Sequence, residues 1–257
     1  MIVDMVESDV PQAARIWNYW MGGEDNYPVD RAAGEAVAAV YPEIVVMARQ
    51  SRGFLIRAVE FLAAEAGVRQ FLDIGSGLPT MQNTHAVAQA VAPECRVVYV
   101  DNDPMVLEHA RTLLAGSTAE GLTTYLHADY HDPEAILGHA PLDFSAPVAV
   151  MFMGVLGYEP DLAEVRSIVG RTVGAVAPGS HLVLWDGTNT SPAVVEGARK
   201  LVESGGVPYI LRSPEQLAGC FEGLTTIEPG LVPITRWRPD DPDAEPIDAY
   251  GAVARES

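Results

Sequence analysis

Apolar positions along the chain change their period near residue 66. Before it they recur at helical spacing, and the runs 11–21, 30–40 and 44–66 predict three helices. The last carries Val45, Ala48, Leu55, Ala58, Phe61 and Leu62 on one stripe. Beyond residue 66, short and nearly unbroken apolar runs alternate with helical stretches. RQFLDIG (69–75), RVVYVD (96–101), TTYLHAD (123–129), APVAVMFMG (146–154) and SHLVLWDG (180–187) predict five strands. Helices are predicted between them at 81–92, from Asp103-Pro104 and over 161–177, and after them from Ser191-Pro192 and the Ser213-to-Gln216 capping box. Strands that are apolar on both faces and alternate with helices mean a doubly wound, mostly parallel α/β sheet. LTTIEPGLVPI (224–234) and AYGAVAR (249–255) follow as two consecutive strands and predict a closing antiparallel hairpin. RPDDPDAEP (238–246) between them reads as an acidic loop. The expected organisation is a helical lid or substrate segment over 1–66 and an α/β domain over 67–257.

Composition narrows the task more than the fold. With 257 residues, 48% hydrophobic, the chain can bury one large core. A formal charge of −19 opposes nucleic acid and anionic membranes as partners. No run of eighteen apolar residues appears, and the first ten residues carry acids instead of a basic leader, so a cytoplasmic protein is expected. Cys95 and Cys220 have no motif spacing and read as buried thiols, and no ligand set for a metal is seen.

In an open α/β sheet, ligands bind beyond the carboxyl ends of the strands. The first strand ends in DIGSGLPT (73–80), where Gly75 and Gly77 let backbone N–H groups approach a ligand. The third glycine of a dinucleotide fingerprint is absent, so a pyrophosphate fits poorly. Asp101 ends the second strand, where a carboxylate can accept both ribose hydroxyl protons. Asp129 ends the third, placed to accept from an exocyclic amine, with Tyr130 placed to stack on a base. Together these ends describe an adenosine site without a diphosphate cradle, which points to S-adenosylmethionine (SAM).

ARIWNYWMGGEDNYPVDR, RQFLDIGSGLPTMQNTHAVAQ and VVYVDNDPMVLEHARTLL resemble the bacterial S-adenosyl methyltransferase family once catalogued as a domain of unknown function, over about residues 11 to 255. The resemblance implies a Rossmann-like class I methyltransferase, a seven-stranded sheet in the order 3-2-1-4-5-7-6, and the product S-adenosylhomocysteine (SAH). It places Asp73, Gly75, Ser76, Gly77, Leu78 and Pro79 around the methionine and ribose, Asp101 on the ribose, and Asn102, Asp129 and Tyr130 about the adenine. Phe152, Met153 and Gly154 are expected beneath the sulfonium.

The aromatic stretch near the N-terminus then reads as a lid. Tyr19, Met21 and Gly22, with Gly23, close on the cofactor; Trp20, Asn26, Tyr27, Asp30 and Arg31 face the acceptor. Arg52 is the expected partner of the methionine carboxylate, with Arg31 and Arg49 as alternatives. The competing reading makes the tryptophans packing residues and the Gly22-Gly23 pair a helix end. In the family, strand four is often followed by Leu-His-aromatic and strand five ends in Ser-His. Here Gly157 and Asp186 stand at those places, which points to a diverged acceptor pocket. Asp186, Tyr158 and Tyr27 are the candidate catalytic groups, with Tyr158 and Asp186 also facing the acceptor. His85, His109, His127, His131 and His181 read mainly as structural. No Asn/Asp-Pro-Pro-aromatic signature of base methylation occurs. The leading expectation is methyl transfer to a small molecule, as in secondary metabolism. The alternatives are a SAM-binding cyclase or isomerase, a non-catalytic SAM-binding module, or a nicotinamide enzyme.

Overall fold

The structure is a computed structural model that describes residues 9–78, 83–103, 106, 118 and 120–257. Three helices come first: α1 (Ala13–Trp20), α2 (Pro28–Ala38) and α3 (Glu43–Ala64). The alternating part follows as β1 (Gln70–Ile74), α4 (Thr84–Val91), β2 (Arg96–Asp101), β3 (Leu122–His127), α5 (Pro133–His139), β4 (Ala149–Met153), α6 (Leu162–Val173), β5 (His181–Gly187) and α7 (Pro192–Glu203). The chain closes with α8 (Pro214–Ala218), β6 (Thr225–Thr226), β7 (Val232–Pro233) and β8 (Ala249–Arg255). The helix expected from Asp103-Pro104, with His109, lies almost wholly outside the described residues, as do Pro79 and the first residues of the helix expected at 81.

The sheet runs β3-β2-β1-β4-β5-β8-β6, with β7 also on β8. The first five strands are parallel; β8 lies antiparallel to β5, with Asp186 opposite Tyr250. This is the expected order except at its end. The single strand expected over 224–234 is two short pieces, each paired antiparallel with β8. Pro229 and Gly230 interrupt it, since proline donates no ladder hydrogen bond and glycine weakens a strand.

Polar caps start the helices where the sequence placed them. Ser191 Oγ accepts from the Val194 N–H at 3.3 Å, and Ser213 and Gln216 form a reciprocal capping box. One face of the sheet, with Phe71, Val97, Met151 and Trp185, shares a buried core with α1 to α4. The other, with Leu72, Val98, Phe152 and Leu184, packs against α5 and α6. Among the described residues no helix is long and apolar enough to cross a membrane.

Candidate active site

The strand order reverses between β1 and β4, and a cavity of about 800 Å³ opens beyond the carboxyl ends there. The sheet order divides its wall into two sides. Polar groups from the ends of β1 and β2, with Ala128 and Tyr130 after β3, form one side. The other is apolar and aromatic, built by α1, α2, α3, α7, Trp185 on β5 and the 207–211 segment.

On the polar side Asp73 is 3% exposed. One of its oxygens accepts from Thr84 Oγ1 at 2.6 Å; the other is buried without a hydrogen-bond partner among the described residues. Burial pushes its pKa up to about 6, against the Thr84 hydrogen bond and the charge of Arg52. Burial likewise lowers the pKa of Arg52, which also lines the cavity. A buried, half-partnered carboxylate beside a cavity suits a ligand cation such as the ammonium of methionine. Gly75 and Gly77 have φ of +72° and +64°. A Cβ on Gly75 would lie 2.6 Å from Val155 Cβ, so this turn requires glycine. Asp101 accepts from the Gly77 N–H at 2.8 Å and the Asp103 N–H at 3.0 Å. Each carboxylate oxygen keeps a further lone pair, so ribose hydroxyls can still be bound. Ser76 Oγ is buried without a partner among the described residues, and Leu78 lines the same wall. The residues present therefore fit an adenosyl-methionine ligand.

At the base end, Asn102 and Tyr130 line the cavity, whereas Asp129 stands behind them. Asp129 accepts from Asn102 Nδ2 at 3.2 Å and bonds His131 Nδ1 at 2.6 Å, and His131 Nε2 meets Glu159 at 2.8 Å. Burial opposes the charge on His131, but the bonds to Glu159 and Asp129 outweigh it and raise its pKa.

The aromatic stretch near the N-terminus is largely bonded to itself. Gly22, at φ +83°, ends α1 in a Schellman motif: its N–H reaches Tyr19 O and the Gly23 N–H reaches Asn18 O, both at 2.9 Å. Asp30 is 0% exposed and accepts from Arg15 Nε at 2.6 Å, the Gln12 N–H at 2.9 Å and the Tyr27 N–H at 2.9 Å. Asn26 bonds Asn18 and Gly23, and Arg31 bonds Asn26. Tyr27 lies under the Arg15 guanidinium, and Tyr19 reaches Glu35. Of the lid residues named from sequence, Trp20 and Met21 line the cavity; Tyr19, Gly22, Asn26, Tyr27, Asp30 and Arg31 do not. Trp17 lines it too, 5.8 Å from the Trp185 ring. Arg49 is exposed.

At the end of β4, Met153 and Gly154 line the cavity, while Phe152 points to the opposite face, where its core holds it at 0% exposure. Strand alternation sends neighbouring side chains to opposite faces, which separates Phe152 from Met153. Tyr158 lines the cavity, and burial raises its pKa. Asp186 is 1% exposed just behind the wall, and burial pushes its pKa up to about 7 against the charge of Arg212. Tyr209, which the sequence gave no reason to single out, hydrogen-bonds Asp186 and lines the cavity. Thr84, Trp185 and Arg212 were equally hidden. They take their places through pairings such as the Thr188–Arg212 bridge, which leaves no local signal. Among the described residues no group of three or more His, Cys, Asp or Glu side chains is arranged to hold a metal ion.

A mostly parallel sheet in this order, with a polar site beyond β1 and β2, is the architecture of class I SAM-dependent methyltransferases. The chain matches the S-adenosyl methyltransferase family over residues 2–257, and it belongs to that family. SAM is thus its cofactor. A DUF574 family protein from Streptomyces avermitilis has the same fold at a TM-score of 0.92, with 42% identity over 98% of this chain and 99% of the other. A Thermobifida fusca protein provisionally described as a methyltransferase matches at 0.89, with 41% identity over 97% and 96%. The arsenite methyltransferase of Halobacterium salinarum is 25% identical over 166 residues, 65% of this chain. The chain spans only 36% of that relative's length.

Proposed function

We propose that this protein transfers the methyl group of SAM to a small-molecule acceptor in the cytoplasm, as an enzyme of secondary metabolism, with residues 1–66 forming the acceptor-side cap of the 67–257 domain. The observation that carries the reading is the two-sided cavity, whose polar wall suits an adenosyl amino acid and whose apolar wall leaves room for a second, less polar ligand. Buried free thiols at Cys95 and Cys220 agree with a reducing compartment.

In this reading Asp73 and Arg52 hold the amino and carboxylate groups of the methionine portion. Gly75, Ser76, Gly77 and Leu78 surround its chain, and Asp101 binds the ribose. Asn102 and Tyr130 flank the base, while Asp129 orients Asn102. Bound SAM supplies a methyl carbon on a sulfonium, open to in-line displacement. The chain's own contribution is to fix the acceptor's nucleophile on that line, which converts a bimolecular encounter into a unimolecular step. Met153, Gly154 and Tyr158 lie between the two sides, where the methyl group would pass. Asp30, Asn26, Arg31 and Tyr27 shape the cap and do not meet the ligands.

The test is turnover with isotopically labelled methyl SAM and a broad set of small molecules, followed by mass spectrometry. Labelled methyl in a small product with stoichiometric SAH supports the reading. SAM held without formation of SAH in the presence of any of them favours the cyclase-like or regulatory alternative.

A further inference from the structure

Gly157 and Asp186 occupy places where histidines were expected, and the structure shows what replaces them. A Cβ on Gly157 would fall within the Tyr209 ring, so a histidine there and this position of Tyr209 exclude one another. The Tyr209 hydroxyl hydrogen-bonds Asp186 and lies 3.3 Å from Gly154 O, at the end of β4. The Gly187 N–H bonds Asp186 at 3.2 Å, and the second Asp186 oxygen is buried without a partner among the described residues. Arg212 fixes the loop in front, donating to Leu156 O at 2.9 Å and to Glu159 O. A carboxylate thus sits behind a tyrosine hydroxyl at the cavity wall.

The surrounding wall describes the ligand. Trp17 and Trp185 are 5.8 Å apart, and Tyr158 meets Tyr209 edge-on at 5.0 Å. Leu201, Val207 and Leu211 complete this side. Among the described residues two arginines border the cavity: Arg15 is tied to Asp30, and Arg52 belongs to the Asp73 side. Aromatic and aliphatic walls without a free charge favour an uncharged, flat acceptor. A neutral amine needs no proton removed before attack, whereas a hydroxyl on an aromatic ring, with a pKa near 10 like tyrosine's, does.

We propose that Tyr209, backed by Asp186, accepts the proton of the methyl acceptor, and that the acceptor is an uncharged hydroxyarene seated among Trp17, Trp185, Tyr158 and Leu211. The acceptor O–H gives its proton to Tyr209 Oη as the proton on Oη passes to the Asp186 carboxylate. The freed oxygen pair forms the O–CH₃ bond while the S–CH₃ bond breaks, and that electron pair stays on sulfur as the thioether of SAH. Tyr209 is the catalytic residue and Asp186 the positioning one.

This rests on the methyltransferase reading, and the test separates the two. Wild-type protein, Tyr209→Phe and Asp186→Asn are loaded with SAM, with binding measured by calorimetry. Each then receives phenol, catechol or 2-naphthol, with 2-naphthylamine as the counterpart. Acceptor binding is read by tryptophan fluorescence and turnover by SAH. The proposal expects methylation of at least one hydroxyarene and a kcat about 100-fold lower in Tyr209→Phe, the lower end of general-base contributions, with SAM affinity unchanged. Activity should rise with pH along a limb set by Asp186, whose charged and titratable neighbours are Arg212, Tyr209, Tyr158, Tyr130 and Cys220. Asp186→Asn should abolish that limb, a change that a purely structural role would not produce, and it carries the test should Tyr209→Phe not fold. Undiminished kcat in Tyr209→Phe overturns the proton path. SAM binding with no hydroxyarene bound or methylated overturns the acceptor class but leaves methyl transfer standing. Failure to bind SAM would overturn both.

Discussion

Asp30 is the side chain on which the N-terminal cap depends, and Asp30→Ala measures how much. Arg15 and Asp30 are 3% and 0% exposed and meet at 2.6 Å. Breaking a buried ion pair by removing its acid costs about 3–5 kcal/mol. The substitution also strips acceptors from the Gln12 and Tyr27 N–H groups, the second being half of the α2 capping box, for about 1 kcal/mol more. The total is about 4–6 kcal/mol, and at roughly 2–4 °C per kcal/mol for a chain of this size the melting temperature should fall by about 8–24 °C. Arg15→Met should cost less, because Asp30 keeps both backbone donors. Arg15→Met combined with Asp30→Ala should be milder than the sum of the two, since no charge is stranded. Thermal and urea unfolding of the four proteins closes this cycle. A melting temperature for Asp30→Ala within 3 °C of wild type would show that the buried Arg15–Asp30 pair does not hold the cap.

Two further predictions concern the polar wall. Gly75→Ala forces a side chain into a left-handed conformation, costing roughly 1–2 kcal/mol, and against Val155, costing roughly 1–3 kcal/mol more. SAH binding should be lost together with that stability; a variant that binds SAH as wild type does contradicts the tight turn. Asp73, with its pKa pushed up to about 6 by burial, is charged above that pH and neutral below it. As an acid with a folded-state pKa raised above its ordinary value of 3.8, it costs the unliganded protein stability as pH rises from about 4 to about 6, whereas a bound cation gains a charged partner as pH rises through 6. SAH affinity should therefore fall about tenfold from pH 7 to pH 5, in proportion to the ionised fraction. Asp73→Asn should flatten that dependence in calorimetric titrations, and an unchanged slope excludes Asp73 as the group responsible.

Local pattern carried much of the fold. Apolar runs bounded by Gly, Pro and acids located β1 to β5 and β8 to within a few residues, because parallel strands buried on both faces leave an uninterrupted signal. The 224–234 run misled, since its apolar character concealed how Pro229 and Gly230 break the ladder. Chemistry at strand ends was legible for the same reason as the strands: Asp73 and Asp101 finish theirs and reach the cavity. Asp129 lies two residues past the end of β3, where Asn102 and His131 engage it first. The aromatic stretch near the N-terminus was ambiguous because Asn, Asp and Arg in a row suit a ligand or a folded turn equally. The contact between Arg15 and Asp30, fifteen residues apart, shows the turn. Tyr209 was not legible at all. VPYIL (207–211) has no motif, and the place Tyr209 takes depends on the missing side chain at Gly157 and on the end of a distant strand.

In the proposed site SAM lies beyond β1 and β2, held by the Asp73 and Asp101 carboxylates. The most direct test is calorimetric titration of SAH into wild-type protein and Asp101→Ala at pH 7.5. We expect one site per chain in the wild type and an affinity at least tenfold weaker in Asp101→Ala, whose unliganded melting temperature falls by only a few degrees as the Gly77 and Asp103 N–H groups lose their acceptor. Equal affinities in the two proteins would place the ligand away from Asp101.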